Sequence, residues 1–329
     1  MNTKTLTTIL SLIACAGSLA VAQVEVPGTP QWQVTLRVAD EDGNPVADAN
    51  VYASYNIPSP ADTPGAGARK TGLTDTNGLA TLAAHTGPAI WYGADKTGYY
   101  STGGAEYDFD LKNKANGQWH PWNPTLTVAL KKIVNPIPMY ARWIRSEPSA
   151  FKKTGQPPIV FKKSIGYDLM AGDWVAPYGK GANTDIIFTE DFNKPARSDY
   201  DYKLTVSFPK SGDGIQEFTV PDAEKNSGLR SPYEAPADGY QPQLVEETSE
   251  QPGQASKFGS DPNRNYFFRV RTVLDENGNV KSALYGKIYG DFMQFSYYLN
   301  PTPNSRNVEF DPKQDLLGGL KSFEGVSAP

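Results

Sequence analysis

The feature that most constrains this chain is a period of two. Trp32, Val34, Leu36 and Val38 alternate with Gln33, Thr35, Arg37 and Ala39, which gives a half-buried strand with one apolar face. The same alternation returns at Ile90, Tyr92 and Ala94, and again at Leu126, Val128 and Leu130. No long segment sustains the 3.6-residue period of an amphipathic helix. Turn formers separate the runs: 30 Gly and 27 Pro punctuate 329 residues, and 12% of the chain is aromatic. Short strands joined by tight turns follow, so the fold class is all-β.

The N-terminus carries a different pattern. Lys4 is the only charge before Glu25, an apolar run extends from Leu6 to Cys15, and small residues end at Ala20-Val21-Ala22. A short basic region, a brief apolar stretch and an A-x-A ending predict a signal peptide over residues 1–22 and an exported mature chain, periplasmic, cell-surface or extracellular. The stretch is too short to span a bilayer, which takes roughly 20 apolar residues. The rival is a lipoprotein signal, with Leu12-Ile13-Ala14-Cys15 as lipobox and Cys15 as anchor. No later run is long enough for a transmembrane segment.

Cys15 is the only cysteine, so the mature chain is expected to have neither disulfide nor thiolate metal site. Two histidines, His85 and His120, restrict His-based catalysis and metal binding. With 36 Asp and Glu against 31 Lys and Arg, and no basic block, the chain is a poor nucleic-acid binder.

In residues 32–133 the strand candidates alternate with turn chemistry at Asp40-Glu41-Asp42-Gly43-Asn44-Pro45 and Thr74-Asp75-Thr76-Asn77-Gly78, with Gly43 expected at positive φ. A polar loop is expected from Pro58 to Lys70. The pattern V-x-L-x-V-x-D-x-x-G-x-P-V-x-x-A-x-V from Val34 to Val51, T-D-x-N-G-x-A from Thr74 to Ala80, and K-x-G-Y-Y from Lys96 to Tyr100 resembles the carboxypeptidase regulatory-like domain. The resemblance implies a prealbumin-type, immunoglobulin-like β-sandwich. It implies no catalytic residues, because the family's Asp and Gly positions shape turns. The excursion from Glu106 to Asn123, with Trp119, His120 and Trp122, departs from the family pattern.

Asn135-Pro136-Ile137-Pro138 interrupts strand structure, and the boundary to a weakly coupled second unit, residues 134–316, is expected there. Strand candidates downstream are Ile159–Phe161, Ile186–Phe188, Tyr202–Phe208, Phe218–Val220, Tyr266–Leu274 and Ser282–Tyr289, with Phe295–Leu299 and Val308–Phe310 weaker. They predict a second antiparallel β-sandwich or jelly-roll-like domain. Residues 223–263, polar and rich in Pro, Gln and Glu, read as a flexible insertion, and 317–329 as a tail. Gly172–Gly181, Tyr285–Phe292 and Tyr297–Asn304 resemble segments of uncharacterised secreted bacterial proteins.

No motif nominates a catalytic residue, a metal site or a cofactor. Asp40–Asn44 and Asp275–Asn279 have their glycines too early for an EF-hand loop and read as turns. Aromatic rings flanked by polar groups can stack on sugars, which makes Trp119, Trp122, Asp173, Trp174 and Tyr178 the candidate ligand-binding residues. The leading expectation is an exported non-catalytic binding or structural protein, with polysaccharide or another exported protein as partner. The alternatives are a carbohydrate-active hydrolase or lyase with an accessory immunoglobulin-like domain, and a subunit of an exported assembly.

Overall fold

The computed structural model describes residues 28–57, 67–145, 164–259, 261, 263–292 and 294–329. The leader, Cys15 and the strand candidate Ile159–Phe161 lie outside them. Among the described residues no helix is long and apolar enough to cross a membrane.

The first unit contains β1 (Gln31–Asp40), β2 (Asn50–Asn56), β3 (Gly67–Leu73), β4 (Leu79–His85), β5 (Ala89–Asp95), β6 (Thr102–Asp108), β7 (Lys114–Ala115), β8 (Gln118–Trp119) and β9 (Thr125–Leu130). One sheet places β1 between an antiparallel β4 and a parallel β9, with the β7–β8 hairpin continuing it beside Gln31. The other runs β3-β2-β5-β6. The alternation in β1 does what its period requires. Trp32, Val34, Leu36 and Val38 are all fully buried and pack against Val51, Ala53 and Tyr55 of β2 and Ile90 and Ala94 of β5. The result is the expected immunoglobulin-like sandwich. Part of the Pro58–Lys70 loop is strand instead: Ala68 and Lys70 pair with Tyr55 and Ala53. The partner strand supplies this order, and nothing local announces it.

Three turns repeat one device. Asp40 accepts the amides of Asp42 (3.1 Å) and Asn44 (2.9 Å), Asp75 those of Asn77 (2.8 Å) and Leu79 (2.9 Å), and Asp275 those of Asn277 (2.9 Å) and Asn279 (2.8 Å). The glycine three places after each aspartate, Gly43, Gly78 or Gly278, has φ of +82°, +73° and +82° respectively. Each carboxylate is thus committed to backbone amides, as a turn demands. The side chain that organises the first turn is Asp40. At Gly43 a Cβ would meet nothing within 4 Å, so only the left-handed backbone is at stake. Gly43→Ala should destabilise by about 1 kcal/mol, read from a urea transition; an unchanged midpoint would show that the turn relaxes without cost.

The second unit contains β10 (Ile137–Arg145), β11 (Ser164–Asp168), β12 (Asp173–Trp174), β13 (Ile186–Ala196), β14 (Asp199–Ser207), β15 (Gly214–Phe218), β16 (Gln243–Glu250), β17 (Asn265–Leu274), β18 (Val280–Tyr289), β19 (Gln294–Leu299) and β20 (Phe310–Asp315). Two sheets face each other, β15-β17-β18-β19-β10-β20 and β12-β11-β13-β14-β16. Between them lies an aromatic core that includes Trp174, Phe188, Tyr266, Phe268, Phe292, Phe295 and Tyr297.

Four sequence expectations change here. Strand β10 runs through Pro138, because that residue falls at a register shift against β20, between Ile137 and Met139, where a missing N–H is tolerated. Residues 223–263 are not structureless. They contain β16, which adds to β14 over eight paired positions. They also form a clamp on the first unit, where the Gly103 amide donates to the Asn226 carbonyl (3.1 Å) and the Gly228 amide to that of Ser101 (2.8 Å). The joint at 134–138 is likewise anchored. The Glu309 carboxylate accepts the amides of Val134 (2.8 Å) and Asn135 (2.6 Å) and the Tyr100 hydroxyl (2.8 Å). The clamp segment hides its pattern because it buries backbone and charge more than apolar side chains. The last residues are docked as well: Glu324 pairs with Arg142 at 2.5 Å, and the Tyr298 hydroxyl donates to the Ala328 carbonyl at 3.1 Å.

Candidate functional site

Pairing register builds a polar surface on the β13–β14–β16 sheet. Asp191, Lys203 and Glu247 form one row across the three strands, and Asn193, Asp201 and Ser249 the next. Alternation directs these six residues away from Leu204 and Val206, which are buried in the core. With Tyr202, Thr248 and Lys257 they line a groove of about 260 Å³. Its far wall is the chain after β16. Lys257 bonds back to Ser249 in both directions (2.9 and 3.0 Å), and the Gly259 amide donates to Thr248 Oγ1 (3.1 Å). Between those two anchors stands Phe258, a ring 77% exposed to solvent. Lys203 and Glu247 pair at 3.4 Å while both stay half exposed, a contact that opens at little cost.

The opposite face of the same sheet changes character along its length. Past the apolar rows of Phe188 and Val206 comes a row of Glu190, Leu204 and Glu246, then one of Phe192, Tyr202 and Thr248. Glu190 is fully buried and accepts the Tyr202 hydroxyl at 2.7 Å; burial raises its pKa. Glu246, 4% exposed, is pushed up to about 7 by burial and then by the neighbouring Asp291, against the pull of Arg264. Beyond them Phe192 packs against Tyr202 (6.3 Å between centroids) and Tyr200 (6.4 Å), all three rings half buried. Carboxylates sit inside a ring-lined end of the sandwich, with a polar groove on the outer face.

The chain matches no protein-family model, and no curated protein matches it in sequence. Solved structures similar to it include a 3-chlorocatechol 1,2-dioxygenase from Rhodococcus opacus, at 14% identity and a TM-score of 0.25, over 32% of this chain and 61% of the dioxygenase. A shaft pilin from Lactobacillus rhamnosus GG aligns at 17% identity and a TM-score of 0.21, over 56% of this chain and 89% of the pilin. A candidate carbohydrate binding protein from Bacteroides uniformis aligns at 11% identity and a TM-score of 0.19, over 84% and 99% of the two chains. At these values the site has to be read from its own geometry.

The aromatic residues singled out in the sequence are dispersed. Trp119, 5% exposed, closes the first sandwich and donates from Nε1 to the Thr86 carbonyl at 2.8 Å. Trp174, 2% exposed, packs edge-on against Tyr167 (5.1 Å) and Phe188 (5.6 Å). Neither presents a ring face to a ligand. Asp173 accepts the amides of Trp174 (2.8 Å) and Lys180 (2.9 Å) and so shapes the loop that carries Tyr178. Tyr178 leans on the second core, and Trp122 is half buried in the first unit. The two groups therefore belong to different units. The groove residues escaped sequence reading because each is an ordinary polar residue; only cross-strand register makes them neighbours. Phe258 did carry a signal, as the single aromatic ring between Glu250 and Asn265.

Proposed function

We propose that the chain is an exported, non-catalytic binding protein that takes a polysaccharide in the β13–β14–β16 groove, with residues 32–133 as a carboxypeptidase regulatory-like spacer. One observation carries the reading: the groove is lined by Asp191, Asn193, Asp201, Lys203, Glu247 and Lys257, and Phe258, the residue after Lys257, is 77% exposed. An exposed ring next in sequence to a lining residue can stack on the apolar face of a sugar, while the carboxylates, amide and ammonium groups of the groove bond the hydroxyls. The spacer assignment is supported by the motif residues, since Asp40, Gly43, Asp75 and Gly78 all act as turn formers.

A glycan array on the mature protein tests the binding reading. Phe258→Ala should weaken the strongest hit about tenfold, the equivalent of about 1.4 kcal/mol. A silent array, or equal binding by the variant, would overturn it. One observation favours a carbohydrate-active enzyme as second reading: Glu246, at about 7, is in the range suited to a general acid. Product analysis of the array samples separates the two, because a binding protein leaves each glycan intact.

A further inference from the structure

The face of the β15-β17-β18-β19-β10-β20 sheet turned away from the core carries a second site. Register sets Trp143 of β10 opposite Ser296 of β19, and Ser296 opposite Tyr289 of β18. In the next row Tyr298 lies opposite Lys287. Together with Arg230 and the segment Gly325–Ala328, this floor lines an open cavity of about 390 Å³, within the range of small-molecule sites. The Arg230 guanidinium lies over the Tyr289 ring, 4.3 Å from its centroid. It forms no ion pair with any carboxylate among the described residues.

Behind the aromatic wall lie two lysines. Lys287 is fully buried, with its ammonium group 4.9 Å from the Tyr289 centroid, 5.0 Å from that of Tyr298, and 3.2 Å from Ser231 Oγ. Lys131 reaches the Ser231 carbonyl at 2.9 Å. Burial, with Lys131 and Arg230 nearby, holds Lys287 well below the usual lysine range, and only Glu309 opposes this. Glu309 is already committed to Tyr100, Val134 and Asn135, and Glu224 to Lys131 at 3.0 Å.

We propose that this cavity binds a sugar acid of the uronate class, its carboxylate on Arg230 and its ring against Trp143, with the buried Tyr289 and Tyr298 as the floor beneath. A carboxylate matches the planar fork of a guanidinium. Ser296 and Ser327 line the same space as the rings, so the body of the ligand must offer both an apolar face and hydroxyls, which a pyranose does. The site is separate from the groove beside Phe258 and does not depend on it.

Calorimetric titration of the full chain with glucuronate, and with glucose as neutral control, tests the assignment. The wild type should bind glucuronate at least tenfold more tightly than glucose. Arg230→Gln should abolish that preference, Arg230→Lys should keep part of it, and Phe258→Ala should leave it intact. Equal binding of the two sugars, no glucuronate binding, or an unchanged preference in Arg230→Gln would each overturn the proposal. Should Arg230→Gln fail to fold, Arg230→Lys decides: a preference identical to the wild type removes the bidentate role. Loss of preference in Phe258→Ala would overturn it too, by moving the sugar acid to the groove.

Discussion

Glu309→Ala should destabilise the whole chain by about 1.5–3 kcal/mol, the scale for hydrogen bonds to a charged group. Glu309 is 1% exposed and accepts three hydrogen bonds, from the Tyr100 hydroxyl and from the amides of Val134 and Asn135. Without it the amides of Val134 and Asn135 and the Tyr100 hydroxyl lose their acceptor, and Lys287 loses the only carboxylate that favours its charge. Tyr100 belongs to the first unit, the amides to the joint, and Glu309 itself to the second. The cost is therefore expected to fall on both sandwiches. Urea unfolding followed by tryptophan fluorescence should show one transition in the wild type and a lower midpoint in the variant. A variant whose first sandwich keeps the wild-type midpoint would mean that the two units are coupled elsewhere.

Relative to a Glu246→Gln variant, the wild-type second unit should lose stability between pH 5 and pH 7.5. Glu246 is raised from its ordinary 4.5 to about 7 by burial and by Asp291 and Glu217, with Arg264 and a bond from the Tyr266 hydroxyl opposing. The folded chain therefore keeps a proton that the unfolded chain releases near 4.5. Stability is full below that value and falls as pH rises to about 7. Glu190, also raised by burial, acts in the same direction. Aspartates held low, such as Asp40, Asp168 and Asp275, lose stability only as pH falls through the acidic range, so they do not mask the effect. The expected loss for Glu246 is about 2–3 kcal/mol. Glu246→Gln, which keeps the shape and cannot ionise, should flatten the profile between pH 5 and 7.5. A wild-type profile parallel to that of Glu246→Gln would show that the carboxylate end of the sandwich is solvated.

Much of the first unit was legible in residues 32–133 because its information is local. Period-two alternation assigns a face to each side chain, and Asp-x-x-Gly sets the turn between strands; both act within a few residues. In the second unit the same reasoning found β17, β18 and β19, which are apolar on both faces. It missed β16, whose Gln243, Glu246, Glu247 and Glu250 contradict strand propensity and are ordered by an edge that β14 leaves open. It ranked Trp119 and Trp174 as ligand residues, since a ring in a polar context reads alike whether it faces solvent or core. The sequence by itself determined the all-β class, the turns and the sandwich of residues 32–133. Tertiary structure alone decided that Asp191, Lys203 and Glu247 form a row, that Glu309 locks the joint, and that Lys287 is buried beside a cavity holding Arg230. Those contacts join residues tens to hundreds of positions apart, and such pairings depend on register and packing, which no local pattern encodes.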